Sequence, residues 1–524
     1  MLSSYTQKYL QKMTGYSQSK PEEAGLPKIH VDYVASRVAT LYEKLRQVID
    51  FQEEHLLRKN AIERVLKRRL LLSHNPEELA EPLIYELIRG GYFPNDQIPE
   101  NKIEKVKKVL EKYIYLLDSI PPTSRQKIEL ELWIQGLTAC EIEETLLPPQ
   151  KENALLEYMI ETMRERIKIT NQIPENEKDI QIFIACQKAL LKSDQTLISY
   201  RLLNYHWPEW KEIRTEQLPV ISKEIPLLKG KIDKEITSSI GKKIFKTISH
   251  HTAPFLVIGD VVSENPSEAL KFFEEPEILE QKLLNAYNKR HKNCKAKIRR
   301  SGTRSVISIF LSKVVLTFLI EIPFDIYITK KFALPNLGIN LLLPPFLMFL
   351  IVASIRAPRP ENTPRVVMEA IGAIKTTRQP EVYPIQLPKK RGMILNVILT
   401  LVYSIVSIGV FLAMIEGLLK INFSILSIVI FFIFFCLIAF SGIKTQQWVR
   451  ELKIGEEKEG IRAFLLDLFF LPFVRAGRWL SVQFQKYNIL ILLLNLFFEA
   501  PLQTFFEFLE SWRRYIKEKK EEME

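Results

Sequence analysis

Apolar residues follow two different patterns along this chain. Up to about residue 304 they recur every three or four positions among many charges. After that they run together in long, nearly uncharged stretches. In the first part, Val34, Val38, Leu41, Leu45 and Val48 step by alternating fours and threes, the seam of an amphipathic helix. Ile62, Leu66 and Leu70 continue such a stripe, with Arg64, Lys67, Arg68 and Arg69 opposite it. Ile103, Val106, Leu110, Ile114 and Leu117 mark another. Further helices are expected over 125–147, 151–169, 177–192 and 194–205, separated by Pro148-Pro149, Pro174 and the cap signal Ser193-Asp194. From Pro219 to Lys246 the pattern is helical, with an interruption at Pro226. Leu256-Val257-Ile258 reads as a short buried strand or loop. Pro266-Ser267-Glu268 and Pro276-Glu277 read as helix starts, the last helix covering about 277–294. Residues 1–28, with Gly15, Pro21, Gly25 and Pro27, read as a flexible tail.

In the second part, four stretches reach the ~20 apolar residues that cross ~30 Å of hydrocarbon. They are about 305–323, 336–354, 393–415 and 423–443. The first contains Lys313, with Glu321 at its far end; the second contains Pro344 and Pro345. Two shorter runs follow, Ala463 to Val474 and Tyr487 to Phe498, flanked by Asp467, Arg475, Arg478 and Glu499. They are expected to be helices lying in the membrane interface, broken or kinked by Pro472 and Pro501. A charged helical tail, Arg513 to Glu524, closes the chain. The fold class expected is all-α, with a helical cytosolic domain (29–288), a polybasic segment (289–304), a four-span membrane domain (305–443) and C-terminal interfacial helices (444–524).

Composition agrees with two unlike parts. The 524 residues hold 18 Gly, 73 Lys and Arg and 61 Asp and Glu, a formal charge of +12. A mean hydropathy of −0.01 is too apolar for a uniform soluble chain with this much charge, so it averages a charged part and a greasy one. The excess charge is localised. Lys289, Arg290, Lys292, Lys295, Lys297, Arg299, Arg300 and Arg304 precede the first span, with no acid among them. The loop from Ile355 to Gly392 holds eight basic and three acidic residues. The connections at Phe324–Pro335 and Glu416–Asn422 are short. This alternation predicts two hairpins with both termini cytoplasmic. The eight residues before the first span are expected to touch anionic head groups, at ~1 kcal/mol for each Lys or Arg near the surface. The first residues lack the apolar core of a signal peptide, and the expected location is the plasma membrane of a bacterium.

Candidate chemistry is sparse. Inside the spans the polar candidates are Lys313, Asn340, Asn396 and Tyr403. An intramembrane lysine either marks a functional path or snorkels to the head groups, and the second reading is preferred here. Gly409 and Ala413 suggest a small-residue contact face. The stretch Ser124 to Leu147, with Gly-Leu-Thr before Glu-Ile-Glu-Glu, resembles a bacterial helix-turn-helix over about 24 residues. That resemblance implies DNA reading, but the second helix would present Glu141, Glu143 and Glu144 to phosphate. Two ordinary helices joined at Gly136 are expected instead. The basic face Arg64–Arg69 is expected to be solvated, and His206, His250 and His251 to be surface or core-edge residues. The proline-dense loop from Pro358 to Pro388 is expected to be an extended connector, with docking onto the cytosolic domain as the alternative. Four scattered cysteines form no CxxC pair, and no phosphate loop, nucleophile elbow or HExxH is present.

No catalytic residue, cofactor or metal is therefore expected. The leading reading is a non-enzymatic scaffold or assembly factor whose partners are anionic inner-leaflet lipids and a protein or a second copy. The alternative is a transporter, channel or lipid-handling protein, and the third a membrane-tethered DNA-binding regulator; nucleic acid is not an expected partner. A scaffold requires exposed apolar side chains on the cytosolic domain. A conduit requires polar residues that converge inside the bundle.

Overall fold

The structure is a computed structural model that describes residues 2–18, 25–31, 54–120, 127–170, 173–329, 334–355, 357–375, 381–386, 393–421, 423–455, 461–486 and 512. The expected seam Val34–Val48, the run 487–498 and the tail 513–524 lie outside them. The chain divides into two compact units. An extramembrane unit comprises Met1–Cys294, Ala357–Lys389 and Val449–Glu456; a membrane unit comprises the remaining stretches.

Among the described residues, the extramembrane unit has two cores. The first is built by α2 (Glu54–Leu70), α3 (Pro76–Arg89), α4 (Asn101–Asp118), α5 (Lys127–Leu146), α8 (Gln195–His206) and α9 (Leu218–Thr237). The second takes α1 (Ser4–Gln18), α6 (Gln150–Arg166), α10 (Ser239–His250), α11 (Thr252–Glu264), α12 (Ala269–Glu274) and the start of α13 (Pro276–Leu316). Between them runs α7 (Glu175–Leu190). Ile180 and Ile184 face the first core, and Ile182, Cys186 and Ala189 the second.

Local chemistry explains most boundaries. The Asn75 side chain accepts from the Glu77 amide at 3.1 Å, with Pro76 at N1, and Asp194 accepts from the Leu197 amide at 2.8 Å. Two expectations change. Helix α9 runs through Pro226 without ending. Leu256-Val257-Ile258 is helical within α11, which is buried on most of its surface. Such a helix has no polar stripe to betray its period.

The largest departures lie where distant segments close the second core. The expected N-terminal tail contains α1, whose Tyr9, Leu10 and Met13 are each at most 2% exposed, and Tyr9 stacks on Tyr158 with ring centroids 5.2 Å apart. The proline-dense loop is no simple connector. It forms α15 (Asn362–Ile374), which buries Val366, Val367, Ala370, Ala373 and Ile374, and β2 (Tyr383–Ile385). Strand β2 pairs in parallel with β1 (Ile167–Ile169), Ile167 opposite Tyr383 and Ile169 opposite Ile385. The segment after the fourth span returns as well. The Ile454 amide donates to Asn362 Oδ1 at 3.0 Å, and Lys192 pairs with Glu451 at 3.1 Å. All three stretches belong to one packed body, so each pair of spans begins and ends on the same unit.

Among the described residues, four segments carry membrane-length apolar windows: Pro276–Ile328, Leu337–Ser354, Val397–Lys420 and Ile425–Gln447. They correspond to the rest of α13 with its π-turns (Thr317–Glu321 and Asp325–Thr329), and to α14 (Leu334–Ser354), α16 (Met393–Lys420) and α17 (Ile425–Arg450). Helix α18 (Ile461–Lys486) runs through Pro472 unbroken. Its Phe473 is fully buried, its ring centroid 4.7 Å from those of Phe411 and of Phe435. A methyl group on Gly409 would meet nothing within 4 Å, and Ala413 is exposed. The small-residue face expected there therefore makes no contact among the described residues. Close approach occurs instead at Gly302 against Val352, at Gly442 against Ile351 and at Gly477 against the Cys436 carbonyl.

Because α1 is part of the core, Leu10→Ala should cost about 2–5 kcal/mol. A clear drop in the thermal midpoint of the purified chain is expected; a flexible tail would leave the midpoint unchanged.

Candidate functional site

Inside the membrane unit, one polar cluster is sealed from solvent. Lys313 is 0% exposed and Glu321 1%. The Lys313 ammonium donates to Glu321 Oε1 at 2.6 Å, and the other carboxylate oxygen accepts from Thr317 Oγ1 at 2.9 Å and Asn340 Nδ2 at 3.0 Å. Lys313 Nζ also stands 5.7 Å from the centre of the Phe434 ring. Lys313 therefore does not snorkel: it is held by an acid eight residues further along the same span, backed by Asn340 of α14. A carboxylate with three donors is well matched. Asn340 Oδ1 is buried with no partner of its own.

Of the other intramembrane candidates, Tyr403 does not join this cluster. It is half-buried on α16, with the Arg475 guanidinium carbon 4.9 Å from its ring centroid. The Asn396 side chain lies outside the described residues. Glu321 is plain in the sequence, two turns beyond Lys313 at the far end of the span, where it would pair with the lysine only under the reading of a functional path.

The eight basic residues before the first span lie on a single helix, α13, and are not equivalent. Arg290 makes a salt bridge to Asp260 (Nη2 to Oδ1, 2.8 Å), and Lys289 pairs with Glu264 at 2.7 Å. Lys292, Lys295, Arg299, Arg300 and Arg304 are exposed and Lys297 is half-buried. The buried positions Cys294, Ile298 and Ser301 recur at helical spacing on the opposite side.

A second ionic cluster organises the extramembrane unit and replaces the helix-turn-helix. Residues 127–146 are one unbroken helix, α5. Gly136 marks no turn: a methyl group there would sit 2.5 Å from Thr196 Cγ2, so the glycine permits close approach of α8. The three glutamates that would have repelled DNA point inward. Glu141 accepts from the Lys112 ammonium at 2.5 Å, Tyr113 Oη at 2.8 Å and Trp210 Nε1 at 3.1 Å. Glu143 pairs with Arg58 at 2.8 Å, and Glu144 with Arg201 at 2.5 Å and Lys211 at 2.7 Å. Burial pulls the Lys112 ammonium below the usual lysine value, against the opposing pull of Glu141. Burial likewise raises the Glu143 carboxyl, against Arg58.

The remaining candidates also have structural partners. Arg69 pairs with Glu86 of α3 at 2.9 Å, Arg68 bonds the same carboxylate, and Arg64 donates to Tyr92 Oη at 2.8 Å. The basic face is thus largely a seam between helices, with Lys67 exposed. His206 contacts Glu235 at 2.9 Å. His251 contacts Glu369 at 2.6 Å and stacks on Tyr383 at 3.9 Å. Each carboxylate comes from another segment of the sequence, which is why no ligand spacing flags it. Among the described residues no group of three His, Cys, Asp or Glu side chains could hold a metal ion.

The fold and these clusters define a multispan, all-helical integral membrane protein with a large extramembrane helical domain. No protein-family model, curated protein or solved structure matches the chain.

Two substitutions test the clusters. Glu141→Gln leaves the buried Lys112 unpaired and should cost about 3–5 kcal/mol, read from the denaturation midpoint by tryptophan fluorescence. Lys313→Met should be comparably destabilising, and adding Glu321→Leu should recover most of the loss. A double variant no better than the single would mean that the pair is not an isolated unit.

Proposed function

We propose that the chain is a non-enzymatic membrane-anchored scaffold whose helical domain lies on the cytoplasmic side and presents a surface to a protein partner. The observation that supports this reading is on α5. Its inner face is committed to the ionic cluster, while Ile128 and Leu132, one turn apart, are 71% and 44% exposed. Helix α9 is tied to the same part of α5 by Lys229–Glu129 at 2.7 Å, and it exposes Val220 and Leu227, at 62% and 79%. Single exposed leucines are ordinary, whereas an apolar pair one turn apart on one helix face is what a partner surface offers. The exposed arc Lys292, Lys295, Arg299, Arg300 and Arg304 meets anionic head groups; Lys289 and Arg290, held by internal acids, add little. The chain resides in a plasma membrane with its basic loops inward.

A second reading, transport or lipid handling, is favoured by one observation: Lys313, Glu321, Thr317 and Asn340 converge in the bundle.

Photocrosslinking amino acids at Ile128 and at Leu132, in the full chain in its own membrane, separate the two readings. The scaffold predicts one adduct of the same mass from both positions and none from the exposed Leu270. The absence of adducts at both positions would remove the scaffold and leave the membrane cluster as the functional centre.

A further inference from the structure

We propose that the membrane unit binds the head-group phosphate of one anionic phospholipid at Arg475 and Arg478 of α18. Both residues are exposed, and they stand one turn apart on one face of the helix. Among the described residues neither makes an ion pair. Acids of the membrane unit have other partners: Glu321 holds Lys313, and Glu416 pairs with Lys420 at 2.8 Å. Two guanidinium groups on the lipid-facing part of the chain thus lack an anion of their own.

The turn that carries them is fixed from behind. Phe473 is fully buried, its ring centroid 4.7 Å from those of Phe411 and of Phe435. A methyl group on Gly477 would lie 2.0 Å from the Cys436 carbonyl oxygen, so backbone meets backbone there. Arg475 is steadied on its outer side too, with its guanidinium carbon 4.9 Å from the centre of the Tyr403 ring. Stacking on an aromatic face leaves the N–H edge of a guanidinium free to donate. Two such forks at a fixed spacing suit the several acceptor oxygens of a phosphate.

Depth identifies the source of that phosphate. Tyr403 lies ~9 Å along α16 from Val397, where the apolar window of this span opens. Phe440, which Gly477 approaches, lies ~10 Å before the end of the α17 window at Gln447. Consecutive spans run in opposite directions, so the start of α16 and the end of α17 fall in one leaflet. Arg475 is therefore a charge beside the apolar length of a span. An unpaired cation is costly there, and the anion that a leaflet supplies is a lipid phosphate. Trp479, next to Arg478 and 62% exposed, is the kind of amphipathic ring that sits at head-group level.

The test is native mass spectrometry of the purified full chain in detergent, titrated with phosphatidic acid and with phosphatidylcholine of the same acyl chains. We expect one phosphatidic acid to bind more tightly than any further copies, and R475Q/R478Q to weaken it about tenfold. Phosphatidylcholine, whose choline offsets the phosphate charge, should bind the parent no better than it binds that variant. Tyr403→Leu should weaken the tight phosphatidic acid about threefold, and Tyr403→Phe, which keeps the ring face, should restore it. R299Q/R300Q on α13 should leave it unchanged, which separates this site from the juxtamembrane arc and from the scaffold reading. Melting curves that match the parent establish that the variants are folded. A phosphatidic acid with a photoreactive group beside its glycerol should label α16 or α18 of the parent chain, a readout that needs no variant. Equal affinity of the parent and folded R475Q/R478Q, equal binding of the two lipids, displacement by soluble glycerol phosphate, or label confined to other helices overturns the proposal.

Discussion

The carbonyl of Ile374 accepts the Ser3 amide at 2.9 Å and the Thr6 hydroxyl at 3.0 Å. The residue is fully buried, and a buried carbonyl requires a partner. This contact joins the N-terminus to a helix that follows two membrane spans in sequence. The same helix, α15, is held at its other end, where Asn362 accepts from Ile454 and donates to the Leu452 carbonyl. Nearer its C-terminal end, Arg166 of α6 donates to the Gly372 carbonyl at 2.8 Å. Without α15 the second core loses Val366, Ala370 and Ile374 together, and α1 loses its tether. The arrangement of the extramembrane unit follows from that closure.

Sequence legibility follows the range of the interactions. Boundaries set by near neighbours, such as the cap at Asp194 and the breaks at Pro148-Pro149 and Pro174, can be read directly. Helix α11 cannot, since burial on most sides erases the polar face that a period needs. The glutamates of α5 are legible as hostile to phosphate, but their purpose is hidden. Arg58, Lys112 and Arg201 approach from three other helices, and no local spacing records that. Lys313 and Glu321 stand in plain view eight residues apart, ~12 Å along an α-helix. That distance suggests separate ends of a span. A π-turn over Thr317–Glu321 lies between them, and Lys313, Thr317 and Asn340 all donate to the Glu321 carboxylate.

The membrane unit uses few polar contacts and concentrates them. Elsewhere it packs by shape: Phe411, Phe432, Phe435 and Phe473 interlock, and glycines let neighbouring helices approach where a methyl group would collide. In an apolar surround there is little hydrophobic gain from helix association, so close packing and a few hydrogen bonds must supply it. Pro344, Pro345 and Pro472 persist within helices for a related reason, because neighbouring helices compensate for the lost backbone bonds.

Synthesis runs from the N-terminus onward, and this imposes an order on assembly. When residue 294 has emerged, the second core still lacks α15 and β2. They arrive about 95 residues later (389 − 294), and only after the first two spans have been made. At ~5–20 residues per second the incomplete body waits roughly 5–20 s with an apolar groove uncovered. Synthesis of the first hairpin is thus a precondition for finishing a domain whose core is otherwise built from residues before it. A chain whose spans failed to insert would carry that unfinished surface into water, where chaperones and proteases act on exposed apolar segments.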